Sequence, residues 1–290
     1  MVLVVAGAEL FFDGLLAAAT RLGVSAFALT VVVSGFELEN LAAGIAAALH
    51  GLPDAAAGTF LGGTTFLALA VGGLAALAAP IRVALPWRAL LWVAVSALPL
   101  LAFGLDGALG RLEGGVLVLW SALVLWRIVR AGRGFVSEEP ERPRFGLLRV
   151  FAGLGVLTVG GELLGEGIRR TTSSLGISEA LLGNTAVAAA VEAEEVARVV
   201  TPARRGRGEL ALANILGTIP HFCAFNAGVI ALVRPLTLSS ETTSLHLPVA
   251  AAAPALLAAV VGLRHGLGRV EGAALVAVYA AYVVAAIVVA

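Results

Sequence analysis

The chain has 290 residues, 60% of them hydrophobic and 13% charged, with a mean hydropathy of +1.00. A soluble domain carries roughly 25% charged residues, so this composition excludes a water-soluble globular fold and predicts an integral membrane protein. The formal net charge is zero and no basic patch is large enough for nucleic acid, while the single cysteine, Cys223, excludes an internal disulfide and a multi-cysteine metal site.

The apolar runs are continuous rather than alternating, so the spans are expected to be helices, which pair every backbone group internally in lipid. In chain order the runs cover 2–20, 24–49, 54–79, 87–105, 112–130, 147–168, 177–200, 208–233, 245–263 and 270–288, an all-α protein of ten transmembrane helices. The first run lacks a basic segment before it and reads as a retained span rather than a cleaved signal peptide. The stretch RAGRGFVSEEPERPRFG, residues 130–146, is the longest polar one and reads as a linker between two five-helix halves. The organisation is then 1–130, a cytoplasmic linker over 131–146, and 147–290. With the N-terminus outside, fifteen of the 19 arginines fall on the inside, Arg198 counted among them, and only Arg111, Arg169, Arg170 and Arg234 outside. The positive-inside rule then orients the chain as a multi-pass protein of the cell membrane with both termini outside.

The halves match each other. GAELFFDGLLAAATRLGVS (7–25) aligns without a gap on GGELLGEGIRRTTSSLGIS (160–178), placing Glu9 on Glu162 and Asp13 on Glu166. After a two-residue insertion GFELENL (35–41) falls on AVEAEEV (190–196), so Glu37 meets Glu192, Glu39 meets Glu194 and Asn40 meets Glu195. AAAGTFLGGTTF (55–66) falls on LALANILGTIPH (210–221). Five spans per half is an odd number, so the halves cross the bilayer in opposite senses, the inverted repeat of secondary transporters with a site at the midplane.

Glu37 lies about a dozen residues from either end of its span, near the bilayer centre at about 1.5 Å per residue. Glu192, Glu194 and Glu195 are similarly deep. Each central acid costs about 2.5–3.5 kcal/mol on insertion scales, so together with Glu39 they demand compensation by water, protons or a cation. Glutamates two apart point to different sides of a regular helix, so both can face one ion only if the helix loosens, and Ser34 and Gly35 supply the place. Carboxylate and amide oxygens suit a hard divalent cation such as calcium, or manganese. Against the functional reading stands a structural one, in which the acids pair with arginines or helix ends, and Arg198, at i+4 from Glu194 and i+3 from Glu195, is spaced for one such pair. Glu9, Asp13, Glu162 and Glu166 lie nearer helix ends, where structural and gating roles weigh equally. His221 reads first as a packed residue, with a proton relay or metal ligand as the sharper reading, and Cys223 as a small apolar filler.

The order G-A-E-L-F-x-D-G, R-L-G-V-S, an acidic segment, then H-G-L-P-D-A-A-A-G-T-F-L-G-G resembles the cation/calcium exchanger superfamily over spans one to three and six to eight. The resemblance implies ten helices in two inverted halves and repeats that read roughly G-T-S-x-P-E-L, then G-N-x-x-G-S-N. It carries the family's cation-binding glutamate onto Glu195 and, in the first half, onto Asn40. The family serine falls on Glu37 and Glu192 and its proline on Glu39 and Glu194. Asn214 keeps the family asparagine, Thr59 replaces it in the first half, and Thr64 and Ile219 replace a later one.

The expected function is a secondary active antiporter exporting calcium or another divalent cation in exchange for protons or sodium. Its site is expected from Glu37, Glu39, Asn40, Glu192, Glu194, Glu195, Asn214 and Thr59, with spans one and six sliding past the core. Inorganic cations and the lipid bilayer are the expected partners, with no cofactor beyond the transported ion and no enzyme activity. The alternative is a membrane-embedded metal-binding protein or metalloenzyme using the same glutamates with His221, although no HExxH or Glu-x-x-His pair is present.

Overall fold

Apolar runs of about 20 residues give helices of about 30 Å, the thickness of the hydrocarbon core. The computed structural model describes residues 2–35, 37–134, 146–173 and 193–289, and its elements are helices apart from four two-residue strands. Seven helical runs among the described residues are long and apolar enough to cross a membrane: Val2–Leu22, Pro53–Ala78, Trp87–Gly104, Arg111–Ala131, Gly208–Val233, Thr242–Arg264 and Arg269–Val289. Residues 135–145 of the linker expected over 131–146, and most of the span expected over 177–200, lie outside the described residues.

Helix α1 (Val2–Leu22) packs antiparallel on a helix over Gly146–Ser173, in contact through small residues. A Cβ at Gly14 would lie 2.5 Å from the Val150 nitrogen, and one at Gly153 2.4 Å from the Phe11 nitrogen. Backbones this close are the packing mode that lipid favours, because apolar side chains gain little by leaving hydrocarbon.

The run expected as one span over 24–49 is two helices, α2 (Ala26–Val33) and α3 (Leu38–Leu49). Its first turn is held by Ser25, whose Oγ accepts from the Ala28 nitrogen at 3.1 Å. The break follows from Ser34 and Gly35. Ser34 Oγ donates to Thr30 O at 2.6 Å, competing with the backbone for that carbonyl, and glycine is a poor helix former. Glu37 is non-helical, at φ −92° and ψ 76°. Gly35 is also required by space: a Cβ there would sit 1.8 Å from His221 Nδ1.

Helix α4 (Pro53–Thr65) continues through a π turn (Phe66–Val71) into α5 (Gly72–Ala78). The span over 87–105 is also interrupted, between α6 (Trp87–Ala94) and α7 (Leu98–Gly104), where Pro99 cannot donate to the ladder. At this break the Ser96 carbonyl accepts from Trp120 Nε1 of α8 (Arg111–Ala131) at 2.9 Å. Beyond the linker come α9 (Gly146–Ser173), α10 (Ala193–Arg204) and α11 (Gly208–Pro220), the last running through a second π turn (His221–Asn226) into α12 (Ala227–Val233). The two π turns begin at Phe66 and His221, positions that the internal sequence match places opposite each other. A third π turn (Thr242–His246) leads into α13 (Leu247–Arg264), and α14 (Arg269–Val289) ends the chain.

Strand β1 (Ile81–Arg82) pairs antiparallel with β4 (Gly266–Leu267), and β2 (Ala108–Leu109) with β3 (Leu236–Thr237). Gly266 adopts φ 135°, and a Cβ there would run into Ile81 O, a conformation and an approach that favour glycine. Arg127 lies 5.1 Å from the rings of both Trp92 and Trp126, and Arg130 5.3 Å from Trp126, so arginine and tryptophan gather beside α6 and at the end of α8. The core is built around α11 and the π turn after it, whose side chains are buried almost without exception.

Candidate functional site

Helix α10 carries Glu194, Glu195 and Arg198 on one face, spaced so that a guanidinium one turn along can reach both carboxylates. The α2–α3 break brings Glu37 to the same point from the other half of the chain. Arg198 Nη2 is paired with Glu37 Oε1 and Glu195 Oε1 and lies 3.2 Å from Glu194 Oε1. Arg198 Nη1 donates to the Ser34 carbonyl at 3.2 Å, which Thr218 Oγ1 also reaches at 3.2 Å. These side chains are 2% (Arg198), 2% (Glu195), 6% (Glu37) and 13% (Glu194) exposed.

The three glutamates present oxygens within 4.8 Å of one another, the spacing of a shared cation site. Asn214 of α11 donates to Glu195 Oε2 at 3.4 Å, and Asn40 of α3 to Glu37 Oε2 at 3.1 Å. Among the described residues, Glu194 Oε2 and Asn214 Oδ1 are buried acceptors without a hydrogen-bond partner, and Arg198 Nε is a donor in the same position. A cavity of about 240 Å³ adjoins the cluster, lined by Glu37, Glu39, Glu194 and Arg198 and by the Phe151–Thr158 face of α9. Three carboxylates and one guanidinium leave two negative charges when all are ionised, the balance that one divalent cation neutralises.

Of the residues expected at the site, Glu37, Glu194, Glu195 and Asn214 are together, with Asn40 behind Glu37 and the exposed Glu39 on the cavity wall. Glu192 lies outside the described residues. Thr59 is placed elsewhere: its Oγ1 donates to Ala56 O at 2.8 Å and packs beneath Gly44, and among the described residues no hydrogen bond joins it to the carboxylates. Arg198 corrects the tally of inside charges. It is buried at the cluster's centre, and only its partnership with Glu194 and Glu195 was readable from spacing. A main-chain carbonyl at the site follows from the loosening expected at Ser34 and Gly35, whereas Thr218 was not foreseen, because it reaches that carbonyl from α11 only through tertiary packing.

His221 seats its ring on Gly35 with Nδ1 2.8 Å from Gly217 O, and the metal-ligand cluster found among the described residues contains glutamates only. Cys223 is buried with Sγ 3.5 Å from Ser96 Oγ. Glu9 and Asp13 of α1 both pair with Arg205, just past α10, at 2.5 Å for Asp13. The Glu162 and Glu166 side chains lie outside the described residues.

A family model described as sodium/calcium exchanger protein matches residues 1–129 and 145–288. Inner membrane protein YrbG of Escherichia coli is 30% identical over 228 residues, which cover 71% of this chain and 69% of that protein. Membrane protein MJ0091 of Methanocaldococcus jannaschii is 26% identical over 229 residues, 75% and 74% of the two chains. A structure of the sodium-calcium exchanger NCX_Mj soaked with Na+ and Sr2+ superposes with a TM-score of 0.82 at 24% identity, covering 98% of this chain and 95% of that one. At that identity the likeness speaks for the fold. Matched by the family model over both halves, the chain belongs to the sodium/calcium exchanger protein family and is a multi-pass membrane cation antiporter rather than an enzyme.

Proposed function

We propose that this antiporter exports calcium or another divalent cation in exchange for protons or sodium, through the carboxylate cluster of Glu37, Glu194 and Glu195 with Asn214. One observation carries the reading: the α2–α3 break delivers Glu37 and a main-chain carbonyl to the two acids of α10, so both halves of the chain contribute oxygens to one buried point. Oxygen-only ligands at a helix break are how transporters hold a desolvated hard cation. Glu39 on the cavity wall serves as an entry group and Asn40 orients Glu37, Glu192 is a ligand expected from its match with Glu37, and Thr59 supports the packing of α3 on α4.

The reading includes ten spans in two inverted halves, 1–130 and 147–290, a cytoplasmic linker over 131–146, and both termini outside the cell membrane. Three observations support it. Each strand pair must join loops on one face, so an even number of crossings must separate β1 from β4 and β2 from β3, which the ten-span count provides. The first two π turns start at matched positions of the two halves. The arginine and tryptophan cluster beside α6 and at the end of α8 fits an inside face. Alternating access comes from α1 and α9 moving as a pair over the core, along their glycine-rich contact and past the cavity that α9 closes.

The test is flux in proteoliposomes with calcium, manganese, magnesium, sodium and protons competed against one another. Glu37→Gln and Glu195→Gln each remove a carboxylate charge from the cluster and are expected to abolish divalent-cation flux. Wild-type flux in both single variants would remove this assignment.

A further inference from the structure

We infer that the Arg198 guanidinium is a resident monovalent cation, seated on oxygens that would otherwise hold a sodium-like ion, so that this exchanger works without sodium at that point. The inference rests on the antiporter reading and narrows the coupling ion left open there.

The ligands of the guanidinium are those of a hard cation. Glu37, Glu194 and Glu195 each present a carboxylate oxygen to Nη2, and Ser34 presents its carbonyl to Nη1. That carbonyl belongs to the last turn of α2, where unpaired carbonyls and the negative end of the helix dipole gather. Broken-helix carbonyl ends are what transporters offer to small monovalent ions. Here a side chain has arrived first. Its charge is permanent, since a guanidinium is not deprotonated in proteins. Its tether to α10 makes it an intramolecular competitor that a free ion must displace.

A plain structural ion pair would satisfy its members, and this cluster is not satisfied. Two buried acceptors, Glu194 Oε2 and Asn214 Oδ1, remain without hydrogen-bond partners among the described residues. Asn214 is 1% exposed, and Glu194 lines the adjoining cavity. With Arg198 counted as a ligand-held cation, the two remaining negative charges of Glu37, Glu194 and Glu195 match one divalent ion. Those two free oxygens then become its natural landing points. Within the buried cluster, Glu39 standing exposed on the cavity wall, the same count leaves no charge for an additional sodium ion. Arg198 thus sets what the site accepts: one divalent cation beside a fixed positive charge.

The test reads sodium binding directly, with 22Na+ and purified full-length protein in detergent, alongside flux in proteoliposomes. Wild-type protein is expected to show no saturable 22Na+ binding, and a sodium gradient is expected to leave its divalent flux unchanged. Arg198→Gln, which keeps length and polarity but removes the charge, is expected to gain 22Na+ binding by about tenfold or more over wild type. Arg198→Lys, which keeps a tethered charge, is expected to gain none. Saturable sodium binding or sodium-driven flux in the wild-type protein overturns the inference, and needs no variant to fold. So does a monodisperse Arg198→Gln protein that binds no sodium. If wild-type protein carries no cation at all while Arg198→Gln still gains sodium binding, the antiport reading falls and the resident cation stands.

Discussion

Gly35→Ala is the smallest change that should disable the site. The new methyl group would lie 1.8 Å from His221 Nδ1, 2.2 Å from Cγ and 2.4 Å from Cε1, whereas ordinary contact begins near 3.4 Å. The difference, about 1.6 Å, must be absorbed by the ring or by the chain. The ring is poorly placed to give: it is 3% exposed, Nδ1 is held 2.8 Å from Gly217 O, and Phe225 stands edge-on at 6.0 Å. The chain between Ser34 and Glu37 therefore moves, drawing the Ser34 carbonyl from Arg198 and Thr218. Overpacking of this kind costs about 1–3 kcal/mol, and the lost contact to a charged donor adds about 1.5–3 kcal/mol. Alanine also favours a continuous helix by about 1 kcal/mol over glycine, which works against the break. A lowered melting temperature in detergent and loss of cation flux in proteoliposomes are the expected outcome. Gly35→Ala with His221→Ala should recover part of both, because the second change removes the obstacle. If Gly35→Ala alone melts and transports as wild type does, the close packing of the break on His221 is not what shapes the site.

Arg198→Met leaves three buried carboxylates without their counter-charge and is expected to cost about 3–5 kcal/mol, read as thermal unfolding of the purified protein. Divalent cation added during the melt should restore more stability to this variant than to wild type. Arg205→Ala releases Glu9 and Asp13 of α1, and as the pair is half-exposed its stability cost should stay within about 1 kcal/mol, while the rate of flux changes because α1 is no longer tied to the end of α10. Gly153→Leu forces a side chain into the Phe11 backbone, and is expected to stop flux while leaving cation binding to the detergent-purified protein measurable.

Hydropathy alone located seven long apolar helices among the described residues, because lipid demands such helices whatever the tertiary packing. The expected runs 112–130, 208–233 and 270–288 coincide within a few residues with helical runs of the structure. The break in the second run was foreshadowed by Ser34 and Gly35, whose chemistry is local. The pairing of Arg198 with Glu194 and Glu195 was equally local, three and four residues apart on one helix. Its contact with Glu37 joins residues 161 apart and depends on how α2 and α10 pack, which no spacing reveals. The same limit explains Thr59, which alignment between the halves projected onto the site. Its hydroxyl instead bonds back to its own helix and sits under Gly44, because the packing of α3 on α4 decides which way that position points.

The two-residue strands have a mechanical consequence out of proportion to their size. β1 with β4 and β2 with β3 act as clasps, each fastening a loop of the first half of the chain to a loop of the second. A transporter that worked by rocking one half against the other would have to shear both clasps on every cycle, at the expense of backbone bonds and of the tight seat of Gly266 on Ile81. Neither α1 nor α9 is fastened this way. On the proposed sliding mechanism the clasped helices are the stator and the α1–α9 pair, which carries no clasp, is the slide.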